Sequence, residues 1–283
     1  MTTLTLLARA KVNLSLGIVS RREDGYHELD MLMQSIGLAD TLILAEADGL
    51  ALDVDGRRAE DDLVLRAAKA LNAACGARRG AAMSLKKAIP ARAGLGGGSA
   101  DCAAALAGLD RLWGLGLSLP QLMEIGAGLG ADVPFCLLGG LARAQGVGEK
   151  LTKLPPLPRL YLALVTPGGG LSTPEVFREW DRKVPPSPPR EPLALAEALR
   201  AGDLARAGTL SGNDLEAPAV RLMPEIDRIL EGFRDLGAPF VRMSGSGSTV
   251  YALFPDREQA EAAAKAVPGA VVAETAEEGW AFV

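Results

Sequence analysis

Residues 90 to 101 read Pro-Ala-Arg-Ala-Gly-Leu-Gly-Gly-Gly-Ser-Ala-Asp. Four glycines, Gly94, Gly96, Gly97 and Gly98, leave backbone N–H groups uncovered by side chains. Glycine also permits the positive φ angles that aim successive N–H groups at one point. A strand-like segment, Met83 to Ile89, runs into this stretch, and an apolar helical pattern, Cys102 to Trp113, follows it. The start of that helix adds unpaired N–H groups and the positive end of its dipole. Together these make an anion cradle suited to phosphate. It is not a Walker A loop, because Ser99-Ala100 stands where Lys-Ser/Thr is needed. It is not a dinucleotide fingerprint either, because Ser99 occupies the third glycine position. The loop therefore points to a nucleotide phosphate held on another scaffold.

Two further residues have the types that moving a phosphoryl group requires. Lys11, in Ala10-Lys11-Val12-Asn13-Leu14, is a cation that can orient a hydroxyl and offset developing negative charge. Asp132, in Gly130-Ala131-Asp132-Val133-Pro134-Phe135, is a carboxylate that can accept a proton. Both have plainer readings: a surface lysine on a strand, and an aspartate capping the segment after its turn. Tyr26 and Phe177 are aromatics in a chain with few, and each lies beside loop residues. Their flat faces suit a flat partner, and ordinary core positions are the alternative. His27 is the only histidine, so multi-histidine metal centres are excluded and any Ser-His-Asp triad depends on it. A structural histidine is its plainer reading. Thr173 before Pro174 fits a helix N-cap.

The elements that must hold these groups read as mixed α/β. Leu4 to Ile18 alternates as a strand does, and Thr41 to Ala47 reads as another. Asp61 or Asp62 caps a helix with an apolar face of Leu63, Ala67, Ala70, Leu71 and Ala74, ending at Gly76. Ser118 and Gln121 form a capping box for a helix running to about Gly128. Leu154-Pro155-Pro156-Leu157-Pro158 marks a boundary, giving domains 1–154 and 155–283. Beyond it the order is strand 160–166, helix 174–181, several helices to Gly237, strands 240–243 and 250–254, helix 257–266 and strand 270–274. Without the inserted helices this is β-α-β-β-α-β, a ferredoxin-like order. Lys183 to Pro192, with five prolines, reads as an exposed connector.

Composition narrows the class. A net charge of −5 argues against a nucleic-acid partner. No apolar run is long enough for a membrane span, and the N-terminus lacks a signal peptide's basic region. Cys75, Cys102 and Cys136 are odd in number and far apart, as buried free thiols of a cytoplasmic protein would be.

Three separated motifs, Ala10–Leu14, the glycine loop from Pro90 and Met243-Ser244-Gly245-Ser246-Gly247-Ser248-Thr249, resemble those of the GHMP kinases, small-molecule kinases named for galactose, homoserine, mevalonate and phosphomevalonate. The likeness spans nearly the whole chain. It implies a ribosomal-S5-like N-terminal domain, a ferredoxin-like C-terminal domain, ATP and Mg²⁺. It also implies a small-molecule alcohol as substrate, and the chain would act as a monomer or homodimer. Lys11 and Asp132 match the family's catalytic pair. Lys87, Pro90, Ala93, Gly94, Leu95, Gly96, Gly97, Gly98, Ser99, Ala100, Asp62 and Leu63 fall on its ATP positions. The second glycine turn is Ser244, Gly245, Ser246 and Gly247. Arg22 to Leu29 and Ser172 to Phe177 resemble a branch whose alcohol carries a cytidine. There the likeness puts Tyr26 and Phe177 on opposite faces of cytosine, His27 at its edge, and Asn13 and Thr173 in the substrate site. Two positions depart from the pattern. Ala100 replaces a usual serine, leaving Ser99 as the hydroxyl for phosphate or Mg²⁺. Asp62 replaces an asparagine, shifting the adenine contact toward backbone near Leu63 or toward Lys87. A sibling kinase for a base-free alcohol, such as homoserine or mevalonate, and a nonenzymatic nucleotide sensor are the competing readings.

Overall fold

The computed structural model describes residues 2–76, 78–183 and 190–283. The chain begins with two long antiparallel strands, β1 (Thr3–Arg21) and β2 (His27–Ala47). Then come β3 (Leu50–Val54), β4 (Arg57–Ala59), α1 (Leu63–Ala74) and β5 (Gly80–Lys86). Next are α2 (Gly97–Trp113), α3 (Leu119–Ala127), α4 (Val133–Leu138), β6 (Leu141–Gly146) and β7 (Lys150–Lys153). The second half runs β8 (Tyr161–Val165), α5 (Thr173–Lys183), α6 (Pro192–Arg200), α7 (Leu204–Leu210), α8 (Glu216–Leu222) and α9 (Glu225–Asp235). It ends with β9 (Phe240–Met243), β10 (Val250–Phe254), α10 (Arg257–Ala266), β11 (Val271–Glu274) and β12 (Trp280–Phe282). The proline-rich connector expected from Lys183 to Pro192 lies largely outside the described residues.

β1 and β2 carry the first sheet, whose order is β12-β1-β2-β5-β3-β4, with β6 pairing β2 and β7 pairing β6. The second sheet has the order β11-β8-β10-β9, every neighbour antiparallel. That is the ferredoxin-like arrangement expected from the strand count. β12 departs from it: Leu6, Leu7 and Ala8 of β1 pair with Phe282, Ala281 and Trp280. The last strand thus belongs to the first sheet, although it follows the second in sequence.

The alternation in β1 has a different meaning from the solvent-and-core pattern of a half-exposed strand. Lys11, Asn13 and Ser15 are as buried as Val12 and Leu14 between them. The polar face is turned toward the functional cavity. The β1–β2 register shifts between Arg9 and Lys11, between Asn13 and Ser15, and between Ile18 and Ser20. Such bulges twist a strand locally and re-aim its side chains. On the other face, α2 lies along the sheet with a wholly apolar stretch from Cys102 to Leu109. Gly108 lets it approach closely, since a Cβ there would come 2.5 Å from Leu44 Cδ1.

Caps follow the local sequence. Asp62 accepts from Val64 N–H at 2.8 Å and caps α1, and Asp256 accepts from Gln259 N–H at 2.9 Å before α10. Gln121 accepts from the Ser118 N–H at 2.9 Å. Of the three thiols, Cys102 and Cys136 are buried and free, but Cys75 is exposed just past the end of α1, which corrects the expectation for it. Burial drives the Cys102 thiol up to about 12 and that of Cys136 well above its ordinary range, so neither forms a thiolate readily.

Candidate functional site

The glycine loop crosses from β5 to α2, and α2 starts at Gly97 rather than Cys102. Gly96 is its N-cap, with a left-handed φ of 69°. The first ladder bond runs from Ala100 N–H to Gly96 O at 2.9 Å. The N–H groups of Gly97, Gly98 and Ser99 therefore lie in the unpaired first turn, on the wall of a large cavity. Gly94 is required by contact with backbone, and Gly96 is favoured by its positive φ and crowded by Lys11. A Cβ on Gly94 would fall 2.0 Å from the Ser244 carbonyl oxygen, and one on Gly96 would fall 3.1 Å from Lys11 Cγ.

The close approach at Gly94 joins the two glycine turns. Ser244 Oγ donates to Gly94 O at 2.9 Å, and Asn13 N–H donates to Ser244 Oγ at 3.2 Å. Thr249 N–H donates to Ala93 O at 3.1 Å. Behind the turn, Asn213 Nδ2 donates to both Met243 O (2.9 Å) and Gly245 O (2.8 Å). Thr173 is the first residue of α5, and its hydroxyl pairs with Ser246 Oγ at 2.7 Å. The helix cap expected of Thr173 is thereby replaced by a tie between α5 and the second turn.

Lys11 and Asp132 meet beside Gly96. Lys11 Nζ lies 3.5 Å from Asp132 Oδ2 and donates to Asn13 Oδ1 at 2.6 Å. The Lys11 side chain is 6% exposed and that of Asp132 33%. Asp132 makes no capping hydrogen bond to α4, which removes the plainer reading of its turn. The carboxylate is left facing the cavity with one cation beside it.

Lys87 has two partners that the sequence analysis missed. Its ammonium donates to Asp40 Oδ2 and to Asp101 Oδ2. Asp40, wholly buried, also accepts from the backbone N–H groups of Ala88 and Ile89, the latter at 2.8 Å. Burial, with Asp40 as a second negative charge, pushes the Asp101 carboxyl up to about 8 against the pull of Lys87. Burial works against the Lys87 charge, but the two carboxylates more than offset it and its pKa rises. This cluster pins the segment entering the glycine loop to the first turns of α2. Asp40 and Asp101 are 47 and 14 residues from Lys87, and no local pattern pairs them.

The cavity holds about 890 Å³, near the top of the usual range for small-molecule sites. It unites Lys11, Asn13, Asp62, Leu63, Lys87, Pro90, Ala93, Gly94, Gly96, Gly97, Gly98, Ser99, Asp132, Thr173, Phe177, Gly245, Ser246 and Gly247. Five expected residues are not on its wall. Leu95 and Ala100 are core, at 1% and 0% exposure. Ser244 is buried, holding Gly94. Tyr26 sits in the β1–β2 connection with 65% of its surface exposed. His27 is buried beneath the rim, its ring stacked on Phe177 at 4.8 Å between centroids and 21° between planes. The ring nearest Phe177 is therefore that of His27, and the Tyr26 ring is not paired with it. His27 Nε2 lies 2.8 Å from Asp181 Oδ1. Phe177 and Asp181 are one turn apart on α5, a spacing that puts them on one helix face. Sequence analysis missed Asp181, and that spacing is the one local signal that could have pointed to it.

Models of the GHMP kinase N-terminal domain and of the GHMP kinase C-terminal domain match residues 62–140 and 195–273. The chain belongs to the GHMP kinase family. Its relatives include proteins named 4-diphosphocytidyl-2-C-methyl-D-erythritol kinase: one from Pelotomaculum thermopropionicum, 46% identical over 91% of each chain, and one from Moorella thermoacetica, 46% identical over 92% of this chain and 93% of the relative. A crystal structure of 4-(cytidine 5′-diphospho)-2C-methyl-D-erythritol kinase superposes with a TM-score of 0.85 at 39% identity, covering 96% of this chain and 98% of that one. A homoserine kinase from Cytophaga hutchinsonii shares the fold, with a TM-score of 0.78 at 20% identity over 100% of this chain and 98% of that one.

Proposed function

We propose that this protein transfers the γ-phosphoryl group of ATP to the 2-hydroxyl of 4-(cytidine 5′-diphospho)-2-C-methyl-D-erythritol, a step of the non-mevalonate route to isoprenoid precursors. The observation that carries the reading is the Lys11–Asp132 pair, 3.5 Å apart beside the N-terminus of α2, in a cavity that also contains Phe177. The names of relatives at 42–46% identity support the substrate.

Asp132 takes the proton of the attacking hydroxyl as its oxygen bonds to phosphorus and the bond to the ADP oxygen breaks. Lys11, held by Asn13, orients that hydroxyl and offsets the charge that develops on it. The free N–H groups of Gly97, Gly98 and Ser99 bind the phosphates, aided by the α2 dipole. Leu63, the backbone near Asp62 and Lys87 line the adenine side. Because Lys87 already serves Asp40 and Asp101, its part there is that of a fixed wall rather than a free arm. Mg²⁺ bound with the triphosphate supplies further charge neutralisation. The side-chain oxygen suited to it is Ser99 Oγ, a hard donor on the cavity wall. Among the described residues no group of three or more His, Cys, Asp or Glu is placed to hold a metal.

Phe177 and Tyr26 hold the cytosine, with Tyr26 closing on it from the exposed β1–β2 connection. The protein works in the cytoplasm, free of nucleic acid and membrane, as a monomer or homodimer. The described helices include none long and apolar enough to cross a membrane. The deciding experiment is a coupled assay of ADP release with the cytidylyl substrate, homoserine and mevalonate. Turnover of only the first is the expected result, and turnover of a base-free alcohol at a comparable kcat/KM would sink the assignment.

A further inference from the structure

Every hydrogen-bonding role of His27 depends on where its proton sits. In the neutral ring one nitrogen donates and the other accepts, and a partner at one nitrogen dictates the role of the other. Here the partner is Asp181, whose Oδ1 lies 2.8 Å from His27 Nε2. An ionised carboxylate can only accept, so Nε2 must carry the hydrogen. The second carboxylate oxygen of Asp181 has the Arg21 guanidinium at 3.9 Å. The imidazole cannot turn freely to exchange its nitrogens. It is 8% exposed, stacked on Phe177 and flanked edge-on by Trp180 at 5.5 Å and 85°. The neutral ring thus presents Nδ1 as an acceptor with no hydrogen-bond partner among the described residues.

This geometry has a consequence for choice of base. A planar base stacked on the same face of Phe177 would lie close to the imidazole plane, the plane in which the Nδ1 lone pair lies. An acceptor there selects for a donor on the base edge. Cytosine carries an amino group at position 4, whereas uracil carries a carbonyl oxygen there. An acceptor facing that carbonyl leaves two lone pairs opposed and a buried group unsatisfied.

We propose that Asp181 is a specificity-determining residue, which by holding the His27 proton on Nε2 keeps Nδ1 as the acceptor that selects a 4-aminopyrimidine over a 4-oxopyrimidine. The inference rests on the reading of Phe177 and His27 as the cytosine site. It adds a residue that touches no substrate and acts through His27.

The test has two arms whose failures differ. His27 is the only histidine, so two-bond ¹H–¹⁵N correlations on the imidazole-labelled protein without ligand report one ring. Wild type is expected to show a protonated Nε2 and an unprotonated Nδ1. Asp181→Ala is expected to mix or invert the tautomers, and Asp181→Glu to restore the wild-type pattern. A wild-type ring protonated at Nδ1 alone, or at both nitrogens under assay conditions, overturns the proposal whatever the substrate is. The second arm compares kcat/KM for the cytidylyl substrate with that for its uridylyl analogue. Asp181→Ala is expected to reduce the preference about tenfold, the worth of one hydrogen bond, through KM rather than kcat, with Asp181→Glu recovering most of it. An unchanged preference in Asp181→Ala, in an enzyme that does turn over the cytidylyl substrate, overturns the role of Asp181 and leaves the wider reading standing. Failure of wild type to use that substrate at all refutes the reading on which the inference rests.

Discussion

Lys11 Nζ and Asp132 Oδ2 stand 3.5 Å apart with Gly96 beside them, and a Cβ at position 96 would come within 3.7 Å of that same Oδ2. The pair is close enough to attract and too far apart for a tight hydrogen bond. Asp132 therefore keeps lone pairs for a substrate proton. Asp132→Asn keeps the shape and removes the basicity. Its kcat should fall by roughly 10²–10⁴-fold, the usual worth of a general base, with KM for both substrates little changed. Steady-state kinetics decides this, and a near-normal kcat would rule out proton abstraction by Asp132.

The glycines of the loop are not equivalent probes. Gly94 and Gly96 have positive φ, and a side chain on Gly97 would meet Ile89 Cγ2 at 2.9 Å. Loss of function at any of these confounds binding with packing. Gly98 has ordinary φ, and a Cβ there would meet only Leu63 Cδ1, at a comfortable 3.5 Å. Gly98→Val should fold normally while crowding the phosphate cradle. ATP affinity should drop roughly tenfold or more with an unchanged melting temperature. Calorimetric titration giving wild-type affinity would show that this N-terminus does not hold the phosphates.

Lys87 is the only cation recorded within ion-pair distance of Asp40 and Asp101 among the described residues. Lys87→Met would leave the buried Asp40 and Asp101 without their cation. Breaking a buried pair from one side costs about 3–5 kcal/mol, and a side chain one-quarter exposed belongs at the lower end. Denaturant unfolding should show that loss, and Lys87→Met with Asp101→Asn should recover part of it. Full stability in the single variant would mean that the cluster contributes little.

The same cluster fixes the sign of one pH dependence. Asp101 titrates near 8 in the folded chain and near the ordinary 3.8 when unfolded. The folded state therefore binds the extra proton between those values. Its contribution to stability is full below about 4 and is lost as pH rises through about 8. Asp101→Asn should remove this slope, so its stability relative to wild type improves from pH 5 to pH 9. Urea midpoints at the two pH values test this, and parallel changes in both proteins would contradict it.

Tyr26 and Phe177 should separate binding from folding. Base–aromatic stacking is worth about 1–3 kcal/mol per base, or roughly 5- to 150-fold in affinity. Each alanine variant should weaken the cytidylyl substrate by that amount and leave ATP unaffected. Tyr26→Ala should do so at unchanged melting temperature, because the ring is exposed, whereas Phe177→Ala also removes the support of His27. Unaltered kcat/KM for both variants would refute the base sandwich.

Much of the architecture was readable from local signals. The strands 240–243 and 250–254 and helix 257–266 fall on the expected residues, because alternation, an Asp256 cap and short turns all agree there. The start of α2 was misread by five residues. Gly97 and Gly98 have poor helix propensity, and tertiary packing against Ile89 and Leu63 overrides it. β2 was seen only from Thr41. Its first half is held by pairing rather than by its own alternation: it pairs with β1 on one side, and Leu29 to Gln34 pair with β6, more than a hundred residues away, on the other. Lys11 and Asp132 were recognisable one by one, but their meeting is a property of the fold. The Lys87 cluster and Asp181 were unseen because such charges declare themselves only through partners distant in sequence.

The placement of β12 bears on the order in which the molecule can be completed during synthesis. Residues 6–8 of β1 emerge from the ribosome before every other element of both sheets, and the strand that covers their edge, residues 280–282, emerges after them all. While the elements between them are being made, that edge offers unpaired N–H and C=O groups to any neighbouring nascent chain. The edge is sealed only once residues 280–282 have been made, so the two sheets depend on each other for completion.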